Sequence, residues 1–287
     1  MEINLEKIKQ NKTIKELLEF SIINLDKPRG PTSFQAAELA GKMVGAKKFS
    51  HFGTLDPLVS GVLPIALNRA CRLTTWFMKK DKTYVGIMKI HKDISEEKLK
   101  EEMKKFVGKI LQKPPVKSRV KREERERQIY RFDILEREGR DVLFKAEVEA
   151  GTYIRKLISD LGEKIGGAHM IELRRIKAGI FSENDKEFVT LYELEKAIED
   201  FKQGNEEKLK EILIPGEIVS RIMPVVFVKK EYSKKLYHGS PLMKDFLAEK
   251  TEAKEGNVAV FFEDKFIGVY SLSKEKGIFA RPDFVLN

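Results

Sequence analysis

Asp56 stands alone among acids in the stretch Gly53-Thr54-Leu55-Asp56-Pro57-Leu58-Val59-Ser60-Gly61-Val62-Leu63-Pro64. A single carboxylate in an apolar, tightly turned segment is a candidate nucleophile, because its direction is set by the turn. Pro57 fixes its own φ and biases Asp56 toward extended geometry, while Gly53 and Gly61 permit sharp turns or close backbone approach. The plain alternative is an Asx-Pro turn in a surface loop. Taken by itself, Tyr84 reads as an ordinary half-buried strand tyrosine and Arg155 as a surface helix arginine.

Other chemistries are narrowed by composition. Cys71 is the sole cysteine, and His51, His91, His169 and His238 are scattered, so no disulfide or zinc pattern can be assembled from these residues. Carboxylate, phenol, guanidinium and backbone remain, and neither metal nor cofactor is expected.

The elements that must position these groups follow from local pattern. Residues 1–21 fit a short amphipathic helix or an extended arm. The segment 22–27 reads as a buried strand ending in a Pro/Gly turn, with Thr32 or Ser33 capping a helix that runs to about Val44. Val62 to Leu67 suits a core strand, Ala70 to Phe77 a helix and Thr83 to Met88 a strand. Residues 95–106 form an amphipathic helix. Val142 to Val148 is a strand leading to a helix that Thr152 is placed to cap and that ends near Gly166-Gly167. Residues 182–214 are mostly helical, with Thr190 as a cap. Pro215-Gly216 marks a boundary, beyond which short β-like runs at 225–228, 258–262, 266–272 and 278–279 suggest a small barrel.

Lys and Arg number 55 against 45 Asp and Glu, a formal net charge of +10 that points to a polyanionic partner. Nucleic acid is the first reading and a membrane surface the second. No run of about 18 apolar residues and no secretory leader is visible, so a cytoplasmic location without membrane contact is expected. Residues 106–131 are strongly cationic, with Lys121, Arg122, Arg125, Arg127 and Arg131. A solvated loop is their ordinary fate.

Read together, the motifs resemble the TruB-type pseudouridine synthases. His51-Phe52-Gly53-Thr54-Leu55-Asp56-Pro57 with Ser60 to Pro64 is similar to the catalytic motif, and Leu25-Asp26-Lys27-Pro28 with Gly30 and Ser33 to the opening motif beside the cleft. Lys82-Thr83-Tyr84-Val85-Gly86 resembles the motif whose tyrosine stacks on the target base. Gly151-Thr152-Tyr153-Ile154-Arg155 resembles the one whose arginine pairs with the nucleophile and whose tyrosine lines the pocket. In Ala168 to Phe181, Leu173 matches the apolar residue that closes the pocket.

The resemblance thus implies Asp56 as nucleophile, with Lys27, His51, Tyr84, Tyr153, Arg155 and Leu173 at the substrate. An arginine within about 4–6 Å would keep Asp56 charged in a dry site. Lys121, Arg122, Arg174, Arg175, Lys177, Lys234, Lys235 and Gly239 are expected to meet RNA. The implied fold is a mixed α/β catalytic domain at 22–214 around a curved, largely antiparallel sheet. An N-terminal arm at 1–21 precedes it and a PUA barrel at 215–287 follows, suggested by Tyr232 to Gly239.

Gln112-Lys113-Pro114-Pro115 with Ser118, Val120, Lys121, Arg122 and Arg127 to Tyr130 resembles the archaeal and eukaryotic, dyskerin-like branch that acts in box H/ACA particles. Arg119 departs from that branch, which has a small residue there. The implied partners are guide RNA, rRNA, tRNA and the small accessory proteins of that particle, around a monomeric catalytic subunit. The rival readings are a stand-alone tRNA T-loop synthase and a noncatalytic RNA-binding scaffold. Asp56, Tyr84 and Arg155 together argue against the scaffold.

Overall fold

The computed structural model of the chain describes residues 3–113, 121 and 123–287. The pattern at Pro114, Pro115, Ser118, Arg119, Val120 and Arg122 lies outside them. Two short helices, α1 (Leu5–Asn11) and α2 (Ile14–Glu19), form the arm, started by Asn4 and Thr13 side chains that accept first-turn N–H groups. The chain enters β1 (Ser21–Lys27), turns at Gly30 and starts α3 (Ser33–Met43) on a Thr32–Gln35 capping box. Ser33, the other candidate cap, is spent elsewhere. Next come β2 (Phe49–His51), β3 (Ser60–Leu67), α4 (Thr74–Met78) and β4 (Lys82–Ile90). After α5 (Glu96–Lys104), the strands β5 (Gly108–Gln112), β6 (Arg125–Glu138) and β7 (Asp141–Val148) lead to α6 (Ile154–Ile165) and β8 (Ala168–Ala178). The strands β9 (Phe181–Ser182) and β10 (Phe188–Val189), the helices α7 (Leu191–Lys202) and α8 (Glu207–Ile212) and β11 (Ile214–Pro215) complete this part.

One mixed sheet results, in the order β10-β1-β3-β8-β4-β7-β6-β5, with β2, β9 and β11 paired at its sides. Only β1/β10 and β3/β8 run parallel, so the largely antiparallel sheet expected from the motifs is what forms. Register shifts at Thr83/Tyr84, Ile87/Met88 and Ile129/Arg131 bend its strands, since a bulge adds local twist. Alternation decides which face is covered. Val142, Phe144, Ala146 and Val148 of β7 turn into a core shared with α3, α5, α6 and α7, while Leu143 and Lys145 face out half-buried. Helix α6 begins at Tyr153 without a side-chain cap, because the Thr152 hydroxyl donates to the Glu149 carbonyl at 2.8 Å instead.

A second sheet follows. The strands β12 (Val225–Phe227), β13 (Leu242–Met243), β14 (Asn257–Phe262), β15 (Lys265–Leu272) and β16 (Ile278–Val285) pair in the order β12-β14-β15-β16-β13, with α9 (Lys230–Tyr237) packed against them. The last strand outruns its apolar start at Ile278-Phe279, because backbone pairing with β15 carries it on through Pro282 to Val285. An aromatic layer joins the two sheets: Phe20 stacks on Phe266 at 5.4 Å and Phe52 on Phe77 at 4.7 Å within one buried cluster. The arm latches across the same joint through Lys12–Glu217 at 2.6 Å and Lys7–Asp264 at 2.7 Å.

Candidate active site

Asp56 sits on the loop between β2 and β3, and that loop is fixed by its backbone. Leu55 and Val59, each 3% exposed, anchor it in the core on either side of Asp56. Ser33 Oγ accepts from Leu55 N at 2.7 Å and donates to Leu55 O at 2.9 Å. Lys27 Nζ donates to the carbonyls of Pro28, Pro57 and Val59 at 2.7, 3.2 and 2.8 Å. Arg175 donates from Nη2 to Gly53 O at 3.0 Å and from Nε to Val62 O at 2.8 Å. At Gly61, φ is +103° and an added Cβ would lie 2.2 Å from the Arg175 carbonyl oxygen, so only glycine fits this crossing.

Arg155, in the first turn of α6, reaches Asp56 with Nη2 at 2.5 Å from Oδ2. The positive end of the α6 dipole adds to the same field. Helix entry is itself clamped: buried Gln112 accepts from Tyr153 N at 3.0 Å and donates to Tyr153 O at 3.3 Å. Tyr84 and Leu173 come from neighbouring strands and share the buried cluster of Leu55, Val59 and Ile154. Gly86 makes room for Leu173, whose Cδ1 lies 2.8 Å from where a Cβ at that position would stand. The structure therefore brings Asp56 together with Arg155 directly, with Tyr153 two residues before Arg155, while Tyr84 and Leu173 share a buried cluster with the residues that anchor the loop and the helix.

Several expectations are corrected. The Asp56–Arg155 pair is not dry: the side chains are 53% and 56% exposed, because the loop crest at Pro57 and Leu58 is open. Solvent screening leaves such a pair little weight in stability, so its value lies in geometry. Arg175 is not offered to phosphate, being 1% exposed with its fork turned to loop carbonyls. Arg174 points the other way but is held by Asp26 at 3.0 Å through two bonds and by Glu183 at 2.8 Å. Lys27 is fully buried behind the loop, its ammonium turned to backbone carbonyls. Burial lowers its ammonium from the usual lysine range, the Arg175 charge lowers it further, and Asp56 opposes both.

His51 pairs with Ile65 across β2 and β3, and its buried Nδ1 has no partner. Burial and then Arg175 push its imidazole below the ordinary histidine value. Lys121 is exposed and bound to Glu123, and Arg122 is outside the described residues. Lys234 and Lys235 are exposed on α9, on the second sheet, and Gly239 follows them at φ +81° with open space around it. Sequence reasoning missed Gln112 and Ser33 as supports; two-way side-chain clamps of this kind leave no local signal.

A cleft of about 660 Å³ lies elsewhere, where the start of β4 meets the end of β8. Lys80, Lys82, Tyr130, Lys145, Lys177 and Arg221 line it, and Asp56 and Arg155 do not. Among the described residues no group of three His, Cys, Asp or Glu is placed to hold a metal ion, and no helix is long and apolar enough to cross a membrane.

With that geometry in hand, the chain can be compared with known proteins. Residues 41–154 match the N-terminal domain of the TruB family of pseudouridylate synthases, and residues 155–219 match the tRNA pseudouridylate synthase B C-terminal domain. A probable tRNA pseudouridine synthase B of Pyrobaculum aerophilum is 38% identical over 96% of this chain and 86% of its own length. Its counterpart in Thermococcus gammatolerans is 45% identical over 78% of this chain and 68% of its own. Among solved structures, Cbf5 in a Cbf5-Nop10-Gar1 complex superposes with a TM-score of 0.89 at 38% identity, over 96% of this chain and 88% of that one. A chain from an H/ACA RNP bound to a substrate RNA containing 2′-deoxyuridine gives 0.88 at 36% identity, over 97% and 89%.

Proposed function

This chain belongs to the TruB family of pseudouridylate synthases, and we propose that it acts as the catalytic subunit of an H/ACA guide-RNA particle, with Asp56 as its nucleophilic carboxylate. The observation that carries the reading is the Asp56–Arg155 contact on a loop whose backbone is clamped at Gly53, Leu55, Pro57 and Val59. The isomerisation breaks the bond from ribose C1′ to uracil N1 and forms one from C1′ to C5. N1 gains a proton and C5 loses one, so atoms and electrons balance without a redox partner.

The target base must first leave its stack, at a cost of about a few kcal/mol that aromatic and apolar surfaces offset. Tyr84, Tyr153 and Leu173 supply those surfaces. Arg155 orients the Asp56 carboxylate and keeps its charge compensated while the bound RNA covers the open crest. The guided role is supported by the likeness to chains solved with Nop10, Gar1 and substrate RNA, which makes such small proteins the proposed partners. Residues 22–214 are the proposed catalytic domain and 215–287 the proposed PUA-type RNA grip, with the cytoplasm as the proposed place of action.

A tritium-release assay tests both levels. The parent with guide RNA and partner proteins should release tritium from C5 of the guided uridine in a ribosomal fragment, and Asp56→Asn should bind the RNA without release. Release in the mutant would end the assignment of Asp56. The names of the archaeal relatives favour one second reading, action on tRNA without a guide. Full release from a tRNA transcript by the chain alone would favour it over the guided role.

A further inference from the structure

Three cations lie buried behind the Asp56 loop with no buried carboxylate beside them. Lys27, Lys82 and Arg175 are 0%, 5% and 1% exposed, whereas Glu217, the one buried carboxylate among the described residues, pairs with Lys12. An uncompensated buried charge is strongly unfavourable, so what Arg175 holds must repay the penalty. Its fork grips Gly53 O and Val62 O, the carbonyls on the two sides of the turn that carries Asp56. Tyr84 stands directly opposite Arg175 across β4 and β8, which sets its ring beside the same buried guanidinium.

That convergence depends on a bulge. Thr83 pairs with Lys177 but Tyr84 pairs with Arg175, so Ile176 is the extra residue on β8. A second bulge at Ile171 bounds the segment on its other side, and between the two, alternation turns Arg175 inward with Leu173 while Arg174 turns to Asp26 and Glu183. Gly53 allows the guanidinium close, since a Cβ there would lie 3.4 Å from Nη1.

We propose that Arg175 is a positioning residue for the isomerisation: one buried guanidinium ties both ends of the Asp56 turn to the Tyr84 phenol, so that the nucleophile and the base-stacking ring keep a fixed separation. This rests on the roles given above to Asp56 and Tyr84. Lysine cannot replace it, because a point ammonium lacks the planar fork that serves the Gly53 and Val62 carbonyls at fixed angles.

The test is a double-mutant cycle on the assembled enzyme, with Arg175→Lys, Tyr84→Phe and the pair, read as single-turnover rate at saturating RNA and as RNA affinity. Arg175→Lys should slow turnover by about 100-fold, the scale set by a small misplacement of reacting groups, with affinity retained. Tyr84→Phe should slow the parent by about tenfold, the worth of one lost hydrogen bond to a charge. In the Arg175→Lys background the same change should cost nothing more, because the link is already broken. Additive losses, an unchanged rate in Arg175→Lys, or affinity falling in step with rate would each overturn the proposal.

If Arg175→Lys does not fold, Tyr84→Phe decides alone: a slowed rate with intact melting supports the link, and a parental rate overturns it. Asp56→Asn is run alongside. Turnover in that variant would remove the assigned nucleophile, whatever the cycle shows for Arg175.

Discussion

Arg155 and Asp56 are separated by 99 residues of chain and meet with 2.5 Å between Nη2 and Oδ2. The contact joins the start of α6 to the loop after β2, and both side chains remain half open to solvent. A pair so screened is replaceable as far as folding goes but not as a device for aiming a carboxylate.

Arg155→Lys should therefore leave the melting temperature near the parental value and lower turnover at saturating RNA by about 100-fold, the range seen when one preorganised donor is lost. Single-turnover kinetics beside a thermal melt checks this. Parental turnover would mean that the contact aims nothing.

Gly61 is where β3 passes closest to β8. At φ +103° and with the Arg175 carbonyl 2.2 Å from any added Cβ, Gly61→Ala has neither the backbone conformation nor the space it needs. The variant should lose about 3 kcal/mol or more in urea unfolding, since strain and a backbone clash act together. A loss below about 1 kcal/mol would show that the two strands can separate without consequence.

The contrast between Gly61 and Arg175 explains how far the site was legible before the structure. Gly, Pro and a lone acid punctuate the Asp56 turn, so its geometry follows from side-chain-free rules that act over a few residues. Local composition likewise marked β4 and β7 as strands. Which of two adjacent arginines turns inward is another matter. Arg174 and Arg175 are chemically identical, and the choice is made by the phase of β8 between its bulges at Ile171 and Ile176, a property of pairing between strands far apart in sequence. The burial of Lys27 was hidden for a related reason: lysine is rarely buried, and two of the three carbonyls that accept it belong to a loop 30 and 32 residues away. Motif resemblance marked these residues as functional without telling a strut from a contact.

Lys82 gives the fold a pH signature. Burial, with the Arg175 charge adding to it, pushes its ammonium down to about 8 from an ordinary 10.5. Between those values the unfolded chain binds more protons than the folded one, so this residue's contribution to stability rises with pH through that window. Below about pH 8 the penalty of burying the charge is present in full. Urea unfolding at pH 7.5 and 10.5 should show the parent gaining up to about 3 kcal/mol relative to Lys82→Met across the interval. Parallel stability curves for the two proteins would show that Lys82 keeps an ordinary affinity for its proton.

The last prediction concerns the second sheet. Lys234 and Lys235 are exposed at the end of α9, and Gly239 follows with open space where a side chain would stand, a place where an RNA backbone can come close. Each lysine that meets a phosphate displaces about one counterion, which sets the slope of binding against salt. Lys234→Ala with Lys235→Ala should weaken guide or tRNA binding and reduce the slope of log affinity against log salt by about 2. The comparison requires titrations at several salt concentrations, because a weaker affinity at one concentration can arise from any loss of shape. An unchanged slope would make these lysines a solvated helix face and take from residues 215–287 the RNA contact proposed for them.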